Sequence, residues 1–254
     1  MILTGDLHAN ATNELDYLTP EYLRCRYGSK CENTLIFVLG DGGFLWYCDS
    51  YSYFDGELIR LLDSYLYRLN SKLIVIPGNH ENYHIIYDCL PKVHLNESLY
   101  SGDFREISPY ILYTERYGEY TFEGKSVLVL GGALSLDKEI RVPNKTWFQE
   151  ETYSIEDKDN VMSFIKDGEY DYVFAHTCPD LVLKQIYGED GLWYRDGNSE
   201  FYTKLMNYIS PKTWYFGHLH PEKINGEYNY GNFDNLRLAE TDFKCLFKEI
   251  QAEI

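Results

Sequence analysis

The chain has 254 residues, enough for one large α/β domain with a full hydrophobic core, and no linker divides it, so we predict a single domain over 1–254. Its formal net charge of −17 argues against extended binding to nucleic acid or to an anionic membrane, because both attract clustered Lys and Arg. The sequence has no apolar run of transmembrane length, and we expect no signal peptide.

Five apolar runs of strand length each end in polar residues typical of a functional site. In chain order the runs are 2–4, 35–39, 73–76, 172–175 and 214–216, and they are followed by Asp6 and His8, by Asp41, by Asn79 and His80, by His176, and by His218 and His220. Of the 7 histidines in the chain, five lie in these motifs, which is not the pattern of scattered surface histidines. Because ligands bind beyond the carboxyl ends of strands in α/β sheets, we expect these side chains to meet at one edge.

The segments between these runs predict helices and further strands. Apolar residues recur at helical spacing most clearly over 57–70, which predicts an amphipathic helix connecting two parallel strands. The other predicted elements are a helix over 13–27 that restarts at Pro20, antiparallel strands within 84–122 that turn near Gly118, a strand over 127–130, helices over 159–166, 179–187 and 202–209, and closing strands of a second sheet after 228.

The chemistry of these side chains predicts a metal site. The candidate ligands are Asp6, His8, Asp41, Asn79, His176, His218 and His220. Mixed imidazole and carboxylate ligands suit Mn, Fe, Zn or Co, and seven groups are too many for one tetrahedral zinc. They suit two ions that share a bridging carboxylate, an arrangement that supports phosphoryl transfer with a bridging hydroxide as nucleophile. His80 adjoins a ligand but is itself spare, so we interpret it as the general acid or as a phosphate contact.

The order of these motifs resembles that of the calcineurin-like metallophosphoesterase superfamily: Asp6-x-His8, Gly40-Asp41, Gly78-Asn79-His80-Glu81, His176 and Gly217-His218-x-His220. The resemblance covers nearly the whole chain and implies an α/β fold, a four-layer α/β/β/α sandwich of two mixed sheets. It further implies two sets of metal ligands, Asp6, His8 and His220 for one ion and Asn79, His176 and His218 for the other. By the same resemblance Asp41 bridges the two ions and His80 donates a proton.

Finer features are similar to those of an uncharacterised prokaryotic and phage subgroup of this superfamily. They are Gly-Gly-Phe-Leu-Trp after Asp41, Gly131-Gly132-Ala133, Ser135-Leu136-Asp137-Lys138, Trp147 before an acidic pair, and His176-Thr177-Cys178-Pro179. The protein Ser/Thr phosphatases carry Asp-Arg in a GDxxDRG motif, whereas this chain has Phe44 and Leu45 at those positions. The arginine that grips phosphate and the carboxylate that orients the histidine are absent there, which argues against phosphoprotein phosphatase activity.

Three residues are candidate substrate contacts. Lys138 and Arg141 follow a strand end, and either they reach over the site in place of the missing arginine or they are solvated loop charges. Trp46 belongs to an aromatic loop over 44–54, which forms either a stacking wall for a nucleobase or aryl group or ordinary packing onto neighbouring helices. The polar segment 135–169 is a candidate lid or insertion.

These observations predict a metal-dependent phosphohydrolase that cleaves a small phosphodiester or phosphomonoester, such as a nucleotide. The expected cofactors are two divalent ions, with Mn preferred and Fe, Zn, Ni or Mg as alternatives. The 6 cysteines form no CxxC pair, which favours reduced thiols and a cytoplasmic location. The alternatives are a nuclease of the same superfamily and a catalytically silent binding scaffold.

Overall fold

The structure is a computed structural model of the protein. It describes residues 1–9, 14–46, 56–165, 168–188, 195–220, 241–246 and 252–254. Within these residues the strands are β1 (Ile2–Thr4), β2 (Leu35–Leu39), β3 (Lys72–Ile76), β4 (Lys92–Asn96), β5 (Tyr100–Ser108), β6 (Ile111–Thr114), β7 (Tyr117–Phe122), β8 (Lys125–Leu130), β9 (Tyr172–Ala175), β10 (Thr213–Phe216), β11 (Asp242–Cys245) and β12 (Ala252–Glu253). The α-helices are α1 (Pro20–Tyr27), α2 (Glu57–Leu69), α3 (Ile155–Phe164), α4 (Asp180–Tyr187) and α5 (Gly197–Leu205).

The described strands join one mixed sheet in the order β11-β10-β9-β8-β7-β5-β6-β3-β2-β1-β12, with β4 paired to β5. In this order, the strands from β5 to β12 at one end, together with β4, form what we call the first half of the sheet. The strands from β7 to β11 at the other end form the second half. The strands β1, β2 and β3 are parallel neighbours in the first half, and β8, β9, β10 and β11 are parallel neighbours in the second. Only two residue pairs, Tyr100 with Phe122 and Ser101 with Thr121, connect β5 to β7 across the seam.

Side chains alternate along each strand, so the buried strands face two apolar layers. In β2, Ile36 and Val38 pack with α1 and α2, whereas Phe37 lies in a layer shared by both halves of the sheet. In that shared layer the ring of Phe37 lies 5.1 Å from the ring of Phe174 in β9. A third layer packs the second half against α3, α4 and α5. Two of the apolar layers therefore contain helices, and the third joins strands from both halves of the sheet.

The amphipathic helix predicted over 57–70 is confirmed as α2, which buries Ile59, Leu62, Leu66 and Leu69 at helical spacing. Each such side chain contributes about 1.5–3 kcal/mol of burial free energy. The predicted restart at Pro20 is also confirmed, because a 3-10 turn ends at 18 and α1 begins at this proline. Proline is favourable there, since the first turn of a helix needs no N–H donor.

Three local predictions differ from the structure. The helix predicted over 202–209 begins earlier, as α5 at 197, and the one predicted over 159–166 begins at 155 as α3. The turn expected near Gly118 lies earlier, at 115–116 between β6 and β7, and Gly118 itself lies inside β7 and pairs with Val129. Most of the predicted closing segment after 228 lies outside the described residues. Among the described helices, none has both the length and the apolar character needed to cross a bilayer.

Candidate metal centre

The predicted ligands lie at the carboxyl ends of parallel strands from both halves of the sheet. Asp6 and His8 follow β1, Asp41 follows β2, Asn79 follows β3, His176 follows β9, and His218 and His220 follow β10. The two halves meet at this edge, where His176 Nδ1 lies 2.9 Å from the carbonyl oxygen of Leu39. The fold therefore brings all seven predicted ligands to one place.

The backbone of this edge is held in an uncommon conformation. Five of the predicted ligands have positive φ angles: Asp6 (53°), His8 (47°), Asp41 (52°), His218 (69°) and His220 (39°). Non-glycine residues persist in this region only where surrounding contacts impose it, and such residues concentrate at functional sites. Here the N–H of Asp6 donates to Gly40 O at 3.1 Å and the N–H of His8 donates to Asp41 O at 2.9 Å.

Two glycines allow the ligand side chains to approach the backbone. A Cβ added at Gly40 would lie 1.9 Å from His176 Nδ1, and one added at Gly78 would lie 2.1 Å from Asp41 Oδ1. Both distances are far below van der Waals contact, so any side chain at either position would displace a ligand. The cradle around Asp41 and His176 therefore requires glycine at both places.

The first group of converging donor atoms comes from Asp6, His8, Asp41 and His220, all within 4.8 Å of one another. Asp6 Oδ1 lies 3.2 Å from His220 Nε2, and Asp41 Oδ2 lies 3.7 Å from His8 Nε2. The two imidazole Nε2 atoms are 3.0 Å apart. Asp6 is fully buried, and it also accepts a hydrogen bond from the backbone N–H of His218 at 2.9 Å.

The second group comes from Asp41, His176 and His218, so Asp41 belongs to both groups. His176 Nε2 lies 3.2 Å from Asp41 Oδ1 and 3.0 Å from Asn79 Oδ1, which adds the amide oxygen to this group. Because His176 Nδ1 is taken up by the Leu39 carbonyl, the ring presents Nε2 to the cluster. Hydrogen bonding of one ring nitrogen to a carbonyl is the usual way in which proteins orient a metal-binding histidine.

The electrostatics of the cluster favour a bound cation. Burial alone would raise the pKa of Asp41, but the charges and hydrogen bonds of His80 and His176 hold that pKa well below its usual range. Burial opposes the charge on His176, yet Asp41 raises the pKa of His176 to about 9. Burial and the neighbouring His176 hold the pKa of His218 well below its usual range. The field therefore attracts positive charge at the point where the donor atoms converge.

The donor set itself fits divalent metals. Carboxylate and amide oxygens combine here with imidazole nitrogens, and none of the converging groups in the described residues is a thiolate. Such a mixture suits Mn, Fe, Zn and related ions and is unsuited to Cu(I) or iron–sulfur clusters. A carboxylate with two oxygens, each facing a different set of ligands, is also the group that can join two ions.

His80 lies against Asp41 on the outer side of the cluster. Its Nδ1 is 2.5 Å from Asp41 Oδ2, and Arg141 Nη2 donates to its Nε2 at 2.7 Å. A guanidinium can only donate, so Nε2 is the acceptor and the ring proton lies on Nδ1, directed at Asp41. The ring of Trp46 packs edge-to-face on His80 with centroids 4.2 Å apart.

Arg141 is placed at the cluster and is not a solvated loop charge, because its side chain is 5% exposed. Its Nε lies 2.6 Å from Asp137 Oδ1, and its Nη1 donates to the carbonyl oxygen of Asn79 at 3.0 Å. The guanidinium also lies over the ring of Trp46, 4.9 Å from the centroid. The chain lacks the arginine of the GDxxDRG motif. The loop after β8 instead places Arg141 beside His80.

The other predicted substrate contacts are placed differently. The ammonium group of Lys138 lies 4.3 Å from the ring centroid of Trp147, and Lys138 is exposed and does not line the cavity above the cluster. Trp46 is nearly buried and donates from Nε1 to Thr146 O at 3.3 Å, so it packs within the site. The aromatic residues over 47–54 lie outside the described residues.

Glu81 is a residue of the site to which the sequence analysis assigns no role. It is fully buried, and its Oε1 accepts hydrogen bonds from the N–H groups of Gly42 at 2.9 Å and Gly43 at 3.3 Å. Tyr113 donates to Oε2 at 2.8 Å. Burial raises the pKa of Glu81 to about 8, although the Tyr113 hydrogen bond opposes the shift. Glu81 thereby ties the loop after β3 to the loop of Asp41; its place in the Gly-Asn-His-Glu motif was the available signal.

A cavity of about 250 Å³ lies above the cluster and is lined by four of the ligands and by His80, Asp137, Arg141 and Leu136. A larger cavity of about 580 Å³ lies at the seam between the halves. Several of its charged side chains pair with one another, as Lys92 does with Asp103 at 2.9 Å and with Glu115 at 3.3 Å. The smaller cavity, which opens onto the converging donor atoms, is therefore the candidate site.

The fold and the cluster define an α/β protein with converging carboxylates, imidazoles and an amide that could hold metal ions. A model of the calcineurin-like phosphoesterase family matches residues 1–222, which contain every predicted ligand. The chain belongs to this family, so the predicted superfamily is confirmed and the protein is a phosphoesterase of a kind that binds divalent metals. A comparison with curated proteins finds no match. The prokaryotic and phage subgroup stays a prediction.

Proposed function

We propose that the protein hydrolyses a small phosphate ester, a phosphodiester or a phosphomonoester such as a nucleotide, with two divalent ions at the cluster. The observation that carries this proposal is the position of Asp41, which contributes to both groups of converging donor atoms. A carboxylate shared between two ligand sets is the feature that distinguishes a pair of ions from a single ion.

The two ions would be held by different ligands. Asp6, His8 and His220 would hold one, Asn79, His176 and His218 the other, and Asp41 both. Mn suits this mixture of oxygen and nitrogen donors, and Fe, Zn, Ni and Mg are the alternatives. Bound there, the ions would supply Lewis acidity toward phosphate oxygens and an activated hydroxide.

The protein's own residues bind the phosphate and move the proton. Arg141 reaches the cavity and offers two guanidinium nitrogens, a geometry suited to phosphate oxygens. His80 holds its Nδ1 against Asp41, so its Nε2 is the atom that faces a substrate once Arg141 turns to the phosphate. Nε2, which only accepts while Arg141 donates to it, would first take up a proton from water, and the resulting imidazolium would give that proton to the leaving oxygen. Trp46 keeps both side chains in place by packing on them.

A small substrate is favoured over a long nucleic acid. The cavity of about 250 Å³ is slightly smaller than the usual ligand site of about 300–1,000 Å³. The net charge of −17 works against a polyanion, whereas bound metals offset it for a single phosphate. A nuclease would need a basic groove. A catalytically silent scaffold would have lost metal ligands, whereas all seven predicted ligands converge here.

The finer details of architecture and location belong to the same proposal. We infer a single domain with the four-layer α/β/β/α sandwich, and the contact between Phe37 and Phe174 of opposite halves supports it. The segment 135–169 would act as a lid only if Arg141 moves with it. The cytoplasmic location, which was inferred from the cysteine pattern, stays a prediction.

The test is hydrolysis of p-nitrophenyl phosphate and bis-p-nitrophenyl phosphate by chelator-stripped protein with Mn, Ni, Zn or Mg added. Turnover of the diester indicates a phosphodiesterase and directs the next screen to nucleotide diesters. Turnover of the monoester alone indicates a phosphatase. Tight DNA binding that survives moderate salt supports the nuclease alternative, and a protein that takes up no metal supports the scaffold.

We expect Asp41→Asn and His176→Ala to lower kcat at least 100-fold, because each removes a ligand that the converging geometry requires. Circular dichroism checks that both variants remain folded. His94→Ala is a matched control, because His94 lies in β4 and pairs with Asp103 at 2.7 Å, away from the cluster. Wild-type kcat in Asp41→Asn would contradict the proposal.

A further inference from the structure

Glu151 is a buried carboxylate that lies outside the cluster of metal ligands. It ends the 3-10 turn Gln149–Glu151 and is fully buried. Its Oε1 accepts hydrogen bonds from the backbone N–H of Ser135 and from Trp147 Nε1, both at 2.8 Å. Its Oε2 accepts from Ser135 Oγ, also at 2.8 Å. One carboxylate therefore holds both ends of the loop 135–147, which carries Arg141.

Ser135 connects this carboxylate to the metal ligands. The hydroxyl of Ser135 lies 2.8 Å from Glu151 Oε2 and 3.4 Å from Asn79 Nδ2. A hydroxyl has one hydrogen, and an ionised carboxylate can only accept, so the hydrogen of Ser135 points at Glu151. Toward Asn79 the same hydroxyl can then only accept. The amide of Asn79 must therefore present its NH2 group to Ser135.

This orientation decides whether Asn79 can bind a metal. With Nδ2 facing Ser135, Oδ1 faces His176 Nε2 at 3.0 Å, where the second group of donor atoms converges. An amide oxygen is a metal ligand, whereas an amide NH2 is a hydrogen-bond donor and repels a cation. A rotated amide would therefore remove one ligand from that group and turn positive hydrogens toward the ion.

We propose that Glu151 is a positioning residue that, through Ser135, fixes the amide of Asn79 with its oxygen toward the metals while it anchors the loop of Arg141. This inference rests on the proposed function, because it assumes ions at the cluster. Glu151 touches neither the ions nor the substrate, and it acts by directing a single hydrogen. In a chain of hydrogen bonds of this kind each donor needs an acceptor, so changing one end favours the reverse direction at the other.

The substitution Glu151→Gln reverses the chain. Two N–H groups point at the position of Oε1, so the oxygen of the new amide must lie there and its NH2 group must face Ser135 Oγ. The hydroxyl of Ser135 then accepts from residue 151 and donates toward Asn79. Asn79 then gives that hydrogen an acceptor only by presenting its oxygen to Ser135 and its NH2 group to the metals. Ser135→Ala, in contrast, removes the hydroxyl, so that nothing at position 135 directs the amide, whose Nδ2 also lies 3.2 Å from His80 Nδ1.

The experiment is a calorimetric titration of Mn²⁺ into chelator-stripped protein at about pH 8, because burial raises the pKa of Glu151 to about 7 and the carboxyl must be ionised. We expect the wild type to bind two ions and Glu151→Gln to bind one of them about 10- to 100-fold more weakly. Ser135→Ala should weaken the same site only about twofold to threefold, since the amide loses one of the contacts that hold its metal-binding orientation but is not driven to rotate.

The double variant Glu151→Gln with Ser135→Ala gives the sharpest outcome. Without the hydroxyl nothing forces the amide of Asn79 to rotate, so we expect the second substitution to restore affinity to the level of Ser135→Ala. A purely structural role for Glu151 gives the opposite result, in which the double variant binds no better than Glu151→Gln. Glu150→Gln is the matched control, because it changes the same charge one position away on a half-exposed side chain.

The outcomes separate this inference from the proposed function. A wild-type protein that takes up no Mn²⁺ overturns both. Two ions bound by the wild type, with equal affinity in Glu151→Gln, overturn the positioning role and leave the proposed function intact. If Glu151→Gln does not fold, unchanged Mn²⁺ affinity in Ser135→Ala overturns the role by itself, because that variant keeps the backbone contact to Glu151.

Discussion

At the scale of single residues, Arg141 carries a sharp prediction. Its side chain touches His80, Trp46 and Asp137 and lines the cavity above the ligands. A hydrogen bond to a charged group contributes about 1.5–3 kcal/mol, so Arg141→Ala should lower kcat/KM for a phosphate ester about 10- to 100-fold. Arg141→Lys should recover only part of this loss, because an ammonium cannot make the two parallel contacts of a guanidinium.

The matched control for this prediction is Lys145→Ala, which removes an exposed charge from the same loop. It should leave kcat/KM within about twofold of wild type, since salt screens the charges of exposed surface residues. Steady-state kinetics with either p-nitrophenyl ester measures both variants. A loss in Lys145→Ala as large as that in Arg141→Ala would mean that the general charge of the loop matters and the position of Arg141 does not.

The residues that the sequence revealed are those whose role follows from local position. Asp41 and His176 were predictable because each directly follows an apolar run that reads as a strand. For Glu81 the signal was its place in the Gly-Asn-His-Glu motif, and Glu151 gave none. Glu81 bonds to Gly42, 39 residues away, and Glu151 bonds to Ser135 across a loop, so their roles depend on how the chain folds back on itself.

At the scale of elements, Asp196 joins α5 to the loop after β8. Its Oδ1 accepts from the N–H groups of Asn198 at 3.0 Å and Ser199 at 2.6 Å, which caps the helix, and its Oδ2 accepts from Leu134 N at 2.7 Å. Asp196→Ala leaves these donors without a partner, so the free energy of unfolding should fall by about 2 kcal/mol. Urea unfolding followed by circular dichroism measures the change.

Asp196→Asn separates the two contacts of this residue. Asparagine caps a helix as well as aspartate does, but its NH2 group would face the N–H of Leu134. We expect a loss of about 1 kcal/mol, between wild type and Asp196→Ala. If Asp196→Ala unfolds within about 0.5 kcal/mol of wild type, the cap contributes nothing and α5 is held by packing alone.

The start of α5 also explains why helix boundaries were harder to predict than helices themselves. The apolar pattern predicted a helix over 202–209, yet α5 begins at Gly197 because Asp196 and Ser199 form a capping box. The helix α3 begins early for the same reason, with Ser154 and Asp157 as its capping box. Polar capping pairs lie outside the apolar periodicity, so a prediction from periodicity begins too late.

At the scale of the whole molecule, the order of strands was the least predictable feature. The apolar runs predicted the parallel strands on either side of the seam. No local sequence pattern indicates that β5 and β7 are neighbours in the sheet, joined by two residue pairs. Packing between the two halves stabilises the seam. The ring of Phe37 packs on those of Phe122 and Phe174, residues that are far from it in sequence. Local sequence does not predict such contacts, because they form only when distant parts of the chain come together.

The whole molecule also has a predicted response to pH when metals are removed. The pKa of His176 is raised to about 9 and that of Glu81 to about 8, so between about pH 7 and pH 9 the folded state holds protons that the unfolded chain has released. Stability therefore falls as pH rises through this window, by up to about 1.4 kcal/mol per pH unit for each group. Burial lowers the pKa values of His8 and His218 instead, so these two histidines hold no additional protons in the folded state.

Urea unfolding of chelator-treated protein at a series of pH values from about 7 to 9 measures this fall. Glu81→Gln should reduce the slope between about pH 7 and pH 8, because it removes the proton that Glu81 holds there, and should leave the part due to His176. Saturating Mn²⁺ should flatten or reverse the fall, since metal ligands bind in their deprotonated form and affinity rises with pH. A stability that rises with pH in the chelated protein would contradict the raised pKa values, and equal slopes with and without Mn²⁺ would mean that no metal binds at His176.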